Sequence, residues 1–238
     1  MTEASNGFIP FAKVGVAVPA AGSGQRMGGT RKAFLELLDE PMLVHAIRPF
    51  LAEARVVAVV VALSDKDISA LPSWSESIDS RVMFVPGGNT RSQSVRAAIE
   101  ALPAEIDVIA VHDGARPLVR SSVVSRCIDL AADGFGAIAG TPAVDTIKHV
   151  SEDKIVLKTP DRGLLWHAHT PQVFPAGLLR RAYSDMGAEG SDDGALVESL
   201  HSNLEIKMVD AGRLNLKVTH GSDLVLAEAI LTSLSDSR

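Results

Sequence analysis

The stretch VGVAVPAAGSGQRMGGTRKAF, residues 14–34, runs from a short apolar segment straight into a glycine-rich bend with Arg26, Arg31 and Lys32 on its far side. Val14–Ala20 has the composition of a buried strand. A strand ending near Gly22 and Gly24 can turn backbone N–H groups toward an anion, because glycine reaches unusual dihedrals and lets a ligand come close. Three cations within seven residues point to a polyphosphate. The spacing matches neither familiar nucleotide loop. Met27 stands where a dinucleotide fingerprint has its third glycine, and no lysine followed by serine or threonine closes the glycines.

Outward from this stretch, apolar run, turn and helical pattern alternate. RVVAVVVAL, Arg55–Leu63, is nearly continuous in apolar residues, as in a central strand covered on both faces. Further strands are expected over Arg81–Val85, Ile106–Val111, Glu205–Val209 and Asn215–Val218. Helices are expected over Pro41–Ala52, Arg91–Leu102, Ser121–Ala132, Ala176–Tyr183, Asp192–Ser202 and Ser222–Leu234. Repeated strand, turn and helix imply an α/β fold with a mostly parallel central sheet and right-handed crossovers, within one domain over residues 13–236. Gly140–Phe174 departs from this rhythm: prolines and a Ser151-Glu152-Asp153 turn divide two short alternating segments. That reads as a projecting β-arm over 140–170. A two-stranded arm is marginal alone, so burial against a second copy is expected, with a long surface hairpin as the alternative.

The 238 residues, 46% of them hydrophobic, suffice for a full core, and no apolar run approaches the roughly 20 residues of a membrane span. Without a basic and then apolar leader the expected location is the cytoplasm, with no membrane partner. A net charge of -6 and few aromatics disfavour nucleic acid as a partner. The single cysteine, Cys127, fits a buried helical position.

VHDGARP, residues 111–117, follows a strand at its carboxyl end, where ligands bind in open sheets. Asp113 could hold Mg²⁺ bridging phosphates and Arg116 could clamp a phosphoryl group; a purely structural Asp113–Arg116 pair is the other reading. His112 is expected to be packed rather than basic. In GGNTRSQS, residues 87–94, the glycine pair with Asn89 and Ser94 could hold a base or ribose, or simply cap a helix.

PAAGSGQRM, GGNTRSQSV, VHDGARPL, PAVDTIK, TPDRGLLW, HTPQVF, SDDGALVE and NLKVTHGSDL follow one another between residues 19 and 224. In these eight ordered blocks the chain resembles the 2-C-methyl-D-erythritol 4-phosphate cytidylyltransferases. The resemblance implies a Rossmann-like nucleotidyltransferase body whose β-arm completes a homodimer. It implies that Ala20, Ala21, Gly22, Gly24, Gly88, Asn89, Ser94 and Gly114 receive CTP. Arg26 and Lys32 would hold the triphosphate and the transition state, and Asp113 would bind Mg²⁺. Thr146, Arg162, Thr170 and Lys217, with Arg116, would receive methylerythritol phosphate, some of them from a partner's arm, with Arg162 and Lys217 joining the catalytic cations. The expected reaction is attack of the acceptor's phosphate on the α-phosphorus of CTP. Ribitol-5-phosphate cytidylyltransferase and a noncatalytic nucleotide-binding protein are the alternatives.

Overall fold

The computed structural model describes residues 12–22, 34–184 and 190–235. In chain order, β1 (Val14–Pro19) is followed by a small hairpin, β2 (Glu36–Leu37) with β3 (Glu40–Pro41), and by α1 (Met42–Leu51). Next come β4 (Val56–Leu63), the short α2 (Asp65–Ile68), β5 (Val82–Pro86), α3 (Arg91–Ala101), β6 (Val108–Val111) and α4 (Ser121–Ala132). Then come β7 (Gly136–Pro142), the hairpin β8 (His149–Val150) and β9 (Val156–Lys158), and the long β10 (Trp166–Pro175). The chain continues through α5 (Ala176–Ala182), α6 (Asp193–Ser199), β11 (Ile206–Asp210) and α7 (Gly221–Ser235).

Seven strands form the central sheet in the order β11-β7-β10-β6-β1-β4-β5. β10 runs antiparallel to β6 and β7, and the remaining pairings are parallel. Strand alternation sorts side chains onto two covered faces. Val14, Val16 and Val18 pack with Leu43, Ile47 and Phe50 of α1 and with Val124, Cys127 and Ile128 of α4. Ala17, Val60 and Ala62 face Val95, Ala98 and Ile99 of α3, while Ile109 and Phe174 complete this layer beside α5. The residues under α3 are small because the helix lies close: a Cβ on Gly15 would stand 2.8 Å from the Leu102 side chain. Cys127 is buried as expected, and burial pushes its thiol pKa up to about 12, which suits packing rather than reactivity. Leu37, Met42, Leu118, Val218 and Ala227 form a third cluster that seats α7. Among the described residues no helix is long and apolar enough to cross a membrane.

Three sequence expectations need adjustment. The arm is narrower than 140–170, because Trp166–Ala168 pair with Gly140–Pro142 of β7 and Gln172–Pro175 pair with β6 inside the main sheet. Val173 and Phe174 are fully buried there, so only the segment around β8 and β9 projects, and those two strands are exposed throughout. Asn215–Val218 is not a strand. It lies against the loop after β6, where the Val218 N–H donates to Ala115 O at 2.8 Å, and so finds no ladder partner. The helix expected over Asp192–Ser202 stops at Ser199, and His201 adopts a φ of 47° just beyond it.

Candidate active site

From β1 the chain proceeds to β4 and β5 on one side, while β6 lies on the other side of β1. At such a reversal the loops leaving adjacent carboxyl ends diverge and open a crevice. A cavity of about 580 Å³ lies there, lined by Pro19–Gly22 after β1, Ser64 and Asp65 after β4, Gly87–Arg91 after β5, and Asp113–Ala115 after β6. Ala20, Ala21, Gly22, Gly88, Asn89, Ser94 and Gly114, all expected at a nucleotide, are brought together on its wall. Gly24, Arg26 and Lys32 lie outside the described residues.

The loop after β5 caps a helix, one of the two readings the sequence left open, and it also lines the cavity. Thr90 caps α3: its hydroxyl accepts from Gln93 N–H at 3.2 Å, and Gln93 Oε1 accepts from the Thr90 and Asn89 N–H groups at 3.3 and 2.8 Å. Gly88 N–H donates to the Ser94 hydroxyl at 3.2 Å, and that hydroxyl donates to Thr90 O at 3.0 Å. The glycine pair permits this tight fold, since a Cβ on Gly88 would stand 2.3 Å from that of Gln93. Gly88 and Asn89 thereby line the cavity from a rigid turn.

Asp113 sits at the rim, 6% exposed. Arg91 Nε donates to one of its oxygens at 2.9 Å and Lys217 Nζ to the other at 2.7 Å, while Arg116 Nε stands 3.9 Å away. Burial alone would raise the Asp113 pKa, but Arg91 and Lys217 reverse that and hold the carboxyl well below its usual range. The Arg91 Nη groups reach further, to both oxygens of the fully buried Asp193 at 3.0 and 2.8 Å. Burial works against the charge of Arg91, yet Asp193 and Asp113 together raise its pKa.

Behind Asp113, His112 is fully buried, and burial lowers its pKa to about 4. Its Nε2 faces Arg116 O at 3.1 Å, an acceptor, so Nε2 carries the proton and Nδ1 accepts from the Thr170 hydroxyl at 3.2 Å. Thr170 Oγ1 also accepts from Asp113 N–H at 3.0 Å. His112 is thus packed and neutral, and it holds the 112–116 loop in shape. Thr170 comes to this place because the β10–β7 register shifts between Ala168 and Gln172, which re-aims the intervening residues. Its hydroxyl is already engaged on both sides. Arg116 Nη1 donates to Asn215 O at 2.8 Å, and Asn215 Nδ2 donates to Thr170 O at 3.0 Å. Among the described residues, Arg116 Nε, Asn215 Oδ1 and His169 Nδ1 are buried atoms without a hydrogen-bond partner.

Two expected acceptor contacts are elsewhere. Thr146 is exposed between β7 and β8, and Arg162 lies on the arm, its Nη1 donating to Val144 O at 2.6 Å. Neither lines this chain's own cavity.

Residues 14–233 match the family model for 2-C-methyl-D-erythritol 4-phosphate cytidylyltransferase. The chain belongs to this family. A 2-C-methyl-D-erythritol 4-phosphate cytidylyltransferase of Symbiobacterium thermophilum is 40% identical over 222 residues, covering 92% of each chain. The crystal structure of the Thermus thermophilus family member is 30% identical, with a TM-score of 0.73 over 91% of this chain and 98% of that one. The 4-diphosphocytidyl-2C-methyl-D-erythritol synthase of Anaerococcus prevotii, 24% identical, shares the fold with a TM-score of 0.85 over 94% of this chain and 98% of its own.

For a magnesium ion on Asp113, both carboxylate oxygens already face cations. The described residues do not fit a protein-held ion, because a cation on Asp113 would have to displace Lys217 or Arg91. Arg91, Asp193 and Tyr183 were not among the residues expected at the site. Arg91 had one local signal, an arginine opening a helix directly after a glycine pair. Its partner Asp193 is 102 residues away, beyond the reach of any spacing argument.

Proposed function

We propose that this chain transfers the cytidylyl group of CTP to the phosphate of 2-C-methyl-D-erythritol 4-phosphate, forming 4-diphosphocytidyl-2-C-methyl-D-erythritol and releasing pyrophosphate. The supporting observation is a nucleotide-sized cavity with a cation-rich rim at the carboxyl ends of β1, β4, β5 and β6, in a chain that matches the family from 14 to 233. In this reading the backbone of Ala20, Ala21, Gly22, Gly88 and Asn89 receives the nucleotide. Lys217 and Arg116 face the acceptor's phosphate. Arg26 and Lys32 remain the proposed holders of the triphosphate.

The acceptor's phosphate oxygen forms a bond to the α-phosphorus as the bond to the bridging oxygen of pyrophosphate breaks. A phosphate dianion is already nucleophilic near neutral pH, so no base is needed, which agrees with a buried, neutral His112. The barrier is repulsion between two anions, and fixed cations lower it by oriented electrostatics.

The arm supports a homodimer. Ile155, Val156, Leu157 and Leu164 are 57–82% exposed on it, and a second copy would remove them from water. Thr146 and Arg162 would then serve the partner's site. A cytoplasmic location is consistent with a nucleotide substrate.

The test is pyrophosphate release with CTP and either 2-C-methyl-D-erythritol 4-phosphate or ribitol 5-phosphate. Preference for the first is expected. Preference for the second, or CTP binding without turnover on either, overturns the reading.

A further inference from the structure

Arg91 opens α3 immediately after the cavity-lining Gly88–Thr90 loop, and its guanidinium joins carboxylates on two other elements. One is Asp113, after β6; the other is Asp193, at the start of α6. Asp193 is itself held firmly. The Tyr183 hydroxyl donates to it, and Gln172 of β10 ties down the start of α6 by donating to Asp192 at 2.9 Å and accepting from Gly194 N–H at 2.8 Å. A guanidinium is a planar fork, so two bonds to one carboxylate set its orientation and aim the remaining Nε–H in one direction. That direction ends on Asp113, whose other oxygen carries Lys217.

We propose that Arg91, aimed by Asp193, is a positioning residue for the acceptor half of the reaction. It fixes the Asp113 carboxylate, and through it the Lys217 ammonium, relative to the Gly88–Asn89 wall that receives the nucleotide. This rests on the cytidylyl transfer proposed above. The cluster combines two carboxylates, Asp113 and Asp193, with three cations, Arg91, Arg116 and Lys217, leaving one positive charge in excess to attract a phosphate. Without Arg91 that excess disappears and Asp113 binds Lys217 without competition, withholding it from the acceptor. Without the Asp193 charge, Arg91 keeps Asp113 but loses the fork that aims it. A mere strut between α3, β6 and α6 would behave differently, lowering stability without changing the balance between the two substrates.

The experiment uses the full chain and measures pyrophosphate release while CTP and 2-C-methyl-D-erythritol 4-phosphate are varied separately, with thermal melting as a check on folding. Variants are Arg91→Gln, Arg91→Lys, Asp193→Asn and the Arg91→Gln/Asp193→Asn double, with Arg96→Gln, whose guanidinium pairs with Glu100 along α3, as the unaffected control. Arg91→Gln should lower kcat/KM for the acceptor by about tenfold or more while the KM for CTP stays within about threefold of wild type. Arg91→Lys keeps the charge but not the fork, so it should recover only part of the Arg91→Gln loss. The double variant should be no worse than Arg91→Gln, because Asp193 acts through Arg91. Equal losses for both substrates, additive losses in the double variant, or a fall in melting temperature alone would overturn the inference. If Arg91→Gln does not fold, Asp193→Asn, which keeps the volume of Asp193 and an oxygen for Tyr183, decides by the same split. An inactive wild type overturns the proposed function and the inference with it; an active wild type with unshifted variants overturns the inference alone.

Discussion

Replacing Asp113 by Asn would remove one charge while keeping the shape. The variant loses two charge-assisted hydrogen bonds, from Arg91 at 2.9 Å and Lys217 at 2.7 Å. Each is worth about 1.5–3 kcal/mol, but the full sum is not expected, because neither cation is stranded. Arg91 keeps its two bonds to Asp193, and Lys217, with 40% of its side chain exposed, returns to water. Burying a neutral amide is also easier than burying a carboxylate. A net loss of about 2–3 kcal/mol follows, at or below the low end for breaking a buried pair. In a chain of this size that lowers Tm by roughly 5–10 °C. The sign of the pH dependence is set by a depressed carboxyl. Its stabilisation is fully present above the unfolded value near 3.8 and is lost as pH falls from there toward the folded value, well below the usual range. Asn does not titrate, so the gap between wild type and variant should be constant between about pH 5 and 8 and narrow below about pH 4. Calorimetric melting across this range measures it. Turnover at neutral pH should fall by roughly 10²–10³, the scale for losing one preorganised charge contact. A variant melting like wild type at pH 7 would refute the ion-pair reasoning, and full turnover would refute the reading of Asp113 as the anchor that positions Lys217.

Gly88→Ala puts a methyl 2.3 Å from the Gln93 Cβ, so the cap on α3 opens; stability should fall by about 1–2 kcal/mol and the KM for CTP should rise, read by melting with and without CTP. Leu157→Asp places a charge on the exposed apolar arm and should convert a dimer into a monomer in sedimentation velocity, with most turnover lost and the body still folded. His112 stays neutral down to about pH 4, whereas in the unfolded chain it protonates near 6.5. Its stabilisation is therefore complete above 6.5 and is lost as pH falls toward 4, by up to about 3 kcal/mol. His112→Gln should show a smaller drop in urea midpoint between pH 7 and 5 than wild type, and an equal drop would refute the assignment.

Features set by neighbours within a turn or a strand were legible from residues alone. Valine runs with small residues between them mark strands covered on both sides, and Gly22, Gly87 and Gly88 mark bends where a ligand can approach the backbone. Those signals are local because propensity, periodicity and dihedral freedom act over a few residues. Chain closure settled what lies beyond that range. Nothing in Trp166–Pro175 announces that it lies antiparallel between β6 and β7, a choice made by which edge remains open once the other strands have paired. The reach of the arm follows from that choice, since residues claimed by the sheet cannot project. Asp113 looked like a metal ligand when only its chemistry and its loop were known. Folding surrounds it with Arg91, Arg116 and Lys217, two of them from distant segments, and a carboxylate whose oxygens already hold cations serves as their anchor instead.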